Sequence, residues 1–428
     1  ALTIDPAYFP AVAGLAVLDM TDKKPDDARK RFEAVLSKDP KNGQALLALA
    51  ELAARSGAAP DEVAKLIGNA VSANPTEVRP RLLLIDFYLR SKDVKHASST
   101  AQNAVAALPD SPEILDALGR TQQASDEFNQ AIATYNKLAI MQPLSPQPHL
   151  RLASVRIAEK NKDAAVQSLR KALEIKPDLL EAQRALIVLD LDGKRLEDAL
   201  TMARTVQKQR PKEAVGYVLE GDINASQKNW DSAAASYRVG MRQVNSPELA
   251  IKLHSALLAA GKGGEADRFS ATRQKEDPKD AAFLSYLGER AIARKDYGSA
   301  EKNYVAVVQL QPNNAAAYNN LAWVSSKLNK EGAIAYAEKA NALAPNQPAL
   351  MDTLAMLLSD KGDYAKAVEL QNKALALQPQ NALFKLNLAK IYIKGGKKDL
   401  AKKELDDLIK LGDKFPSQAE VAALLVSL

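Results

Sequence analysis

Three histidines, His96, His149 and His254, are the only imidazoles in this 428-residue chain, and imidazole is the side chain most used for proton transfer and metal ligation near neutral pH. They lie more than fifty residues apart, so nothing in their spacing joins two of them to one metal or one of them to a nucleophile. No HExxH pair, Walker loop or Rossmann glycine pattern occurs. Gly261-Lys262-Gly263-Gly264 is glycine-rich, yet no strand pattern precedes it, and a turn between helices accounts for it better than a phosphate cradle. Cysteine is absent, which removes disulfides, thiolate metal sites and cysteine nucleophiles and is compatible with an oxidising compartment without requiring one. Carboxylates are plentiful, but solvated helices contain them anyway, and no pair is set apart for acid–base work. The residues predict no catalytic centre, no metal site and no cofactor.

What the chain does have is a period. Pro6, Pro40, Pro75, Pro109, Pro143, Pro177 and Pro211 follow one another at 34 or 35 residues, and after one missed beat at Asn245 the series resumes at Pro278, Pro312, Pro345 and Pro379. Twelve residues before most of these prolines stands an alanine: Ala28, Ala97, Ala131, Ala165, Ala199, Ala266, Ala300, Ala333 and Ala367. Ala233 and Ala401 keep the beat where the proline is lost. Counting back from each proline places unit starts near residues 9, 43, 78, 112, 146, 180, 214, 247, 281, 315, 348 and 382. A period of this size signals stacked supersecondary units whose apolar faces are covered only by their neighbours.

Within one unit, Leu284, Leu287, Gly288 and Ala291 recur at helical intervals and predict the inward stripe of a first helix. Lys295 to Gly298 interrupts that stripe. A second helix is expected from about Gly298 to Leu310, with Ala300, Tyr304 and Val307 on one face, ended by Pro312, which lacks an N–H and restricts the residue before it. The set Leu284, Leu287-Gly288, Ala291, Ala300, Tyr304, Pro312 resembles the signature of the tetratricopeptide repeat family. The expected fold is all-α: a right-handed superhelical solenoid of antiparallel helix pairs, about twelve repeats over residues 9–415, closed by a C-terminal capping helix at 416–428.

Composition agrees with thin, closely packed helices: 46% of residues are hydrophobic but only 5% aromatic, where a sandwich or barrel would require more β-branched and aromatic side chains. The period overrides the two to four globular domains that length alone suggests. The opening Ala1-Leu2-Thr3-Ile4-Asp5-Pro6 matches Ala172-Leu173-Glu174-Ile175-Lys176-Pro177, so residues 1–8 are expected to be the remnant of a preceding repeat. At the other end, thirteen residues with Val421, Leu424 and Leu425 apolar are too few to span a bilayer. The net charge of +6 arises from 58 basic residues interspersed with 52 acidic ones. That mixture reads as solvated helical faces rather than the one-sided basic stripe nucleic acid requires.

In the tetratricopeptide family the second, fifth, sixth, ninth and thirteenth places of each unit face a concave groove. Here the resemblance selects Arg79, Glu113, Asp116, Arg120, Arg151 and Arg184 in the middle of the chain and Asn319, Asn320, Trp323, Asp352, Asn387 and Lys390 nearer its end. Arg120, Arg151 and Arg184, on adjacent rungs, could grip a carboxylate or sulfate-like group; the other reading is internal pairing, as of Arg120 with Asp116 one turn away. Asn319 and Asn320 sit poorly in a helix on propensity alone and could hold a peptide backbone, while Trp323 could pack or serve as a platform. The family's carboxylate clamp is incomplete: Asn387 and Lys390 share a rung, but Asp352 before them would repel a carboxylate.

A narrower resemblance rests on Arg81 to Ile85, Leu115 to Arg120, Gly216 to Ile223, Asn319 to Trp323, Met351 to Met356 and Phe415 to Val421. These stretches resemble the PrsT family, tetratricopeptide lipoproteins of the PEP-CTERM/exosortase system. That resemblance implies a Gram-negative envelope protein, periplasmic and held at the outer membrane by an N-terminal lipid anchor absent from these residues. It further implies a non-catalytic scaffold that gathers exopolysaccharide-export or sorting proteins, or extended peptides of that machinery, with no nucleic-acid partner. Two other classes remain open on the sequence: a cytoplasmic chaperone-type peptide adaptor, and the substrate-recognition arm of an enzyme whose catalytic domain lies outside this chain.

Overall fold

The computed structural model describes residues 2, 5 and 7–428; the expected repeat remnant at 1–8 falls largely on residues 1, 3, 4 and 6, outside the described set. Among the described residues every regular element is helical. The chain divides into two compact units, Ala1–Arg210 and Pro211–Leu428. The first holds six helix pairs. They are α1 (Phe9–Thr21) with α2 (Pro25–Lys38), α3 (Gly43–Arg55) with α4 (Pro60–Ala73), and α5 (Val78–Arg90) with α6 (Val94–Ala107). Then come α7 (Pro112–Ala124) with α8 (Phe128–Met141), α9 (Gln147–Ala158) with α10 (Lys162–Ile175), and α11 (Leu180–Asp192) with α12 (Leu196–Gln209).

The second unit continues the pairing with α13 (Val215–Ser226) and α14 (Trp230–Gln243), α15 (Pro247–Ala259) and α16 (Gly263–Glu276), then α17 (Ala281–Ala293) and α18 (Tyr297–Leu310). It ends with α19 (Ala315–Lys327) and α20 (Ala333–Leu343), α21 (Pro348–Asp360) and α22 (Tyr364–Leu377), α23 (Ala382–Lys394) and α24 (Lys398–Ile409), and a last helix α25 (Gln418–Val426). A short 3-10 turn, Gly412–Lys414, precedes α25, which therefore begins two residues after Pro416. Its Val421 is buried among Leu386, Leu405 and Leu408 of the pair before it and Phe415 of the connection.

The sequence rhythm has direct physical causes in these pairs. The periodic alanines Ala97, Ala131, Ala165 and Ala199, and Ala233, Ala266, Ala300, Ala367 and Ala401, are fully buried, because only a methyl fits where two helices cross closely. The periodic prolines follow the second helices by one capping residue, as Pro109 follows α6 and Pro312 follows α18. Each turn inside a pair closes on a left-handed residue. In six of the twelve that residue is lysine, as at Lys92 with φ 58°, where the Asp93 N–H donates back to the Tyr88 carbonyl at 2.9 Å and closes the α5 end. The core is a string of small clusters, such as Leu150, Ala153, Leu169, Ala172, Ala182 and Leu186, each shared by neighbouring pairs.

Three glycines set the closest approaches. Gly119, Gly221 and Gly288 each lie sixteen residues before a buried tyrosine, Tyr135, Tyr237 and Tyr304, and a Cβ at any of them would run into that ring. Tyr237 cannot swing aside, because its hydroxyl donates to Asp222 Oδ1 at 2.6 Å. Gly68 in α4 faces open space instead. Gly221→Ala is therefore expected to destabilise the second unit by about 1–3 kcal/mol, the usual cost of overpacking, although alanine is the better helix former. Gly68→Ala should stabilise the first unit by roughly 0.5–1 kcal/mol. Urea unfolding followed by circular dichroism reads both, and opposite signs are the expected outcome.

Candidate functional site

In the first unit the groove places of α5, α7 and α9 carry a ladder of charges. Arg120 donates through Nη1 to Asp86 Oδ1 at 2.6 Å and through Nε to Asp116 Oδ2 at 3.1 Å. Arg151, one rung on, takes both oxygens of the same Asp116, Nε at 2.7 Å and Nη2 at 3.1 Å. The alternation Asp86, Arg120, Asp116, Arg151 is thus closed on itself, and two of the three arginines proposed as an anion grip are already occupied by internal carboxylates. All four side chains remain partly solvated, so each pair adds at most about 1 kcal/mol and the ladder chiefly fixes the register between rungs.

The remaining groove candidates of this unit stand apart from it. Glu113 is exposed and accepts from the Ser111 hydroxyl at 2.8 Å. Arg184 is exposed and makes no ion pair among the described residues. Arg79 is exposed as well and lines a cleft of about 350 Å³ between α3, α4 and α5 with Leu47, Leu83, Phe87 and Arg90.

In the second unit Asp352 of α21 is the centre of a polar knot. Asn387 Nδ2 donates to both of its oxygens at 2.9 Å, and the buried Gln371 Nε2 adds a bond at 2.6 Å while also reaching the Phe384 carbonyl at 3.0 Å. Burial raises the Asp352 pKa, and the two amide donors act against that rise. Lys390 lies within 2.7 Å of Glu420 on α25. Asn387 and Lys390, the two residues of the incomplete clamp, are accordingly spent on Asp352 and on the last helix. Asn320 Nδ2 donates to the Tyr304 hydroxyl at 3.1 Å. The buried Oδ1 of Asn319 has no partner among the described residues. Trp323 packs edge-on to Tyr297 at 5.6 Å, with the Lys327 ammonium 5.2 Å above its ring.

The histidines occupy three unrelated environments. His96 is exposed, bonded to Asp93 at 2.7 Å and stacked on Tyr88. His149 is half-buried, with Nδ1 unpartnered among the described residues and burial lowering its pKa. His254 is buried and meets the Tyr286 hydroxyl at 2.9 Å, which in turn meets Ser255 Oγ at 2.8 Å. This trio has the outline of a proton relay. Burial, however, drops the His254 pKa to about 4, which makes it a weak base at neutral pH, so the trio reads as a satisfied polar corner. Among the described residues no three metal-ligating side chains converge, and no helix is long and apolar enough to cross a membrane.

A tetratricopeptide repeat family model matches residues 358–428, and a second tetratricopeptide model matches 14–67 and 117–179. Those three stretches are similar to tetratricopeptide repeats. Cellulose synthase operon protein C of Pseudomonas fluorescens is 25% identical over 447 residues, covering 88% of this chain and 34% of that protein. The small glutamine-rich tetratricopeptide repeat-containing protein 2 of Mycosarcoma maydis is 31% identical over 115 residues, 27% of this chain and 33% of that one. The chain spans about a third of the length of these curated relatives. Among solved structures, Pseudomonas aeruginosa PilF aligns at 22% identity over 50% of this chain and 99% of that one, with a TM-score of 0.41. The APC/C hetero-tetramer Cut9-Hcn1 aligns at 16% over 100% and 93%, with a TM-score of 0.39.

Along the stacked helix pairs, residues one period apart meet across rungs. Asp86 with Arg120 and Asp116 with Arg151 are 34 and 35 residues apart, and Asp352 with Asn387 is 35 apart. Asp86 was not singled out by sequence, although that rule would have found it. Asp222, which accepts from the Tyr237 hydroxyl and takes Lys252 Nζ at 2.8 and 3.0 Å, is a further polar centre, and its partners 15 and 30 residues away fall outside that rule.

Proposed function

We propose that this protein is a non-catalytic interaction scaffold of a Gram-negative envelope that assists exopolysaccharide biosynthesis or export, or the sorting of PEP-CTERM proteins. The observation that carries the reading is the likeness to cellulose synthase operon protein C along 88% of this chain, a relative whose name ties it to polysaccharide synthesis. The repeat architecture supports the scaffold half of the proposal, because stacked helix pairs present a long surface of side chains on rigid elements. In the same proposal the protein is periplasmic and held at the outer membrane by a lipid anchor outside these residues. Deleting the gene in its host is expected to lower secreted polysaccharide, or the fraction of PEP-CTERM protein correctly sorted, by several-fold. Unchanged polysaccharide together with unchanged sorting would refute it.

A second reading is a cytoplasmic chaperone-type peptide adaptor, supported only by the tetratricopeptide likeness, which includes 31% identity over 115 residues to the Mycosarcoma maydis protein. The engagement of Lys390 by Glu420 and of Asn387 by Asp352 opposes it, since no donor pair is left on that rung for a terminal carboxylate. Titration with a peptide ending in acidic residues separates the readings: saturable binding lost in Lys390→Ala supports the adaptor.

A further inference from the structure

The first unit contains a feature that its charge ladder does not use. On α5, Arg79, Leu83, Phe87 and Arg90 fall at spacings of four, four and three residues, which places them on one helical stripe. The eleven steps from Arg79 to Arg90 rise about 16 Å along the axis and turn almost a whole number of times. The stripe is therefore an apolar centre bracketed by two guanidinium groups. It lines the cleft of about 350 Å³ whose opposite wall includes Leu47 and Glu51 of α3. Leu47, Leu83 and Phe87 are only partly covered, and a second cleft, sharing Phe9, Ala48 and Glu51, extends the apolar floor along α1.

The charges decide what fits. Among the described residues neither Arg79 nor Arg90 has a carboxylate within ion-pair distance, in contrast to Arg120 and Arg151 one and two helix pairs further along the unit. Glu51 is the one acid in the cleft wall, and it is engaged by Arg55 of its own helix at 2.7 Å. Two free cations thus flank an apolar slot, and a guanidinium not satisfied internally is suited to bidentate capture of a carboxylate. A cleft of this volume lies at the small end of ligand pockets, too narrow for a whole helix but able to take the alternate side chains of an extended strand.

We propose that this cleft binds an extended acidic–apolar peptide segment of a partner protein, two carboxylates seated on Arg79 and Arg90 and two large apolar side chains between them on Leu83 and Phe87. The proposal rests on the scaffold reading and names the chemistry of one partner. In a strand, residues one, three, five and seven share a face and span about 20 Å, which the outward reach of two arginine side chains matches to the 16 Å stripe.

The probe is a fluorescein-labelled peptide, Glu-Ser-Leu-Ser-Phe-Ser-Glu, titrated with the full chain and read by anisotropy. Saturable binding is expected, weakened at least tenfold in the Arg79→Glu, Arg90→Glu double variant and at least threefold between 50 and 200 mM salt. The same peptide with lysine in place of glutamate should bind at least tenfold more weakly to the wild type and recover on the double variant. Arg170→Glu, an exposed arginine of α10 outside the cleft, should leave binding unchanged, and circular dichroism verifies that every variant is folded. Absence of saturable binding, equal binding of the acidic and basic peptides, or an equal loss in Arg170→Glu would each overturn the proposal. A failed titration beside an intact polysaccharide or sorting defect in the deletion strain sinks the cleft chemistry alone, whereas the converse sinks the envelope role and leaves the cleft standing.

Discussion

Arg273→Ala should cost the Pro211–Leu428 unit about 3–5 kcal/mol, the range for breaking a buried ion pair from one side. Arg273 is 5% exposed, and its Nη2 donates to Asp280 at 2.6 Å and Asp277 at 3.1 Å while Nη1 reaches Asn245 Oδ1. Asp280 is equally buried and also caps α17 through the Phe283 N–H at 3.0 Å. With the guanidinium removed, that carboxylate keeps only its cap bond and stays in a dry site, so the penalty is the uncompensated charge more than the lost contacts. A double variant, Arg273→Met with Asp280→Asn, removes both charges and keeps an acceptor for the cap; it should recover more than half of the loss. Both tryptophans, Trp230 and Trp323, lie in this unit, so urea unfolding followed by their fluorescence reports it directly. A cost below about 1 kcal/mol for the single change, or a double variant no more stable than the single one, would refute the account.

The same arginine shows what the sequence could and could not reveal. The helical class was legible because the constraints are local: alanine where helices cross, proline one capping residue beyond most second helices, glycine under tyrosine. The missing proline at Asn245 leaves the geometry uncertain when only sequence is considered, since an asparagine permits many turns. In the structure α14 still ends at Gln243 and α15 begins at Pro247. The turn is held by side chains instead: Asn245 accepts from Arg273 and donates to Asp277 at 3.1 Å. Arg273 occupies a second-helix place that elsewhere holds Leu138, Ala172, Val206, Val307 or Ala374, all buried. Two breaks in the pattern, 28 residues apart, are therefore one compensated feature. Each looks like a flaw alone, and only burial shows them as partners.

The groove candidates were less legible, for a reason of reach. Knowing that Asp116, Arg120, Arg151, Asp352 and Asn387 occupy groove places says nothing of whether a side chain meets a ligand or its neighbour one rung away, because the distance between rungs is comparable to the length of an arginine. The pairing of Arg120 with Asp116 could be weighed within one helix. Its stronger tie to Asp86, and that of Arg151 to Asp116, depend on the stacking of successive pairs. Arg79 and Arg90 differ because the one acid opposite them, Glu51, is engaged by Arg55 of its own helix, and that is a property of packing rather than of spacing.

Acidification should weaken the second unit through His254, by about 3 kcal/mol between pH 6.5 and pH 4. Its imidazole is 2% exposed, set edge-on to Phe283 and Tyr286, and burial lowers its pKa from 6.5 to about 4. Arg290 and Arg294 add to the depression and Asp267 opposes it. Above pH 6.5 the ring is neutral in both the folded and the unfolded chain, so this stability is fully present. As pH falls below 6.5 the unfolded chain takes a proton that the folded one refuses, and stability declines by roughly 1.4 kcal/mol per unit until the folded ring protonates near pH 4. Carboxylates titrate in the lower part of this window, and Asp352, with its raised pKa, acts in the opposite direction. The decisive quantity is thus the difference between wild type and His254→Gln, which has no titrating ring. Urea midpoints by tryptophan fluorescence at half-unit steps should separate above pH 5 in proportion to the drop in pH, the variant losing less. Parallel profiles for the two proteins across that window would mean that the ring is solvated in the folded state, contrary to the close packing around it.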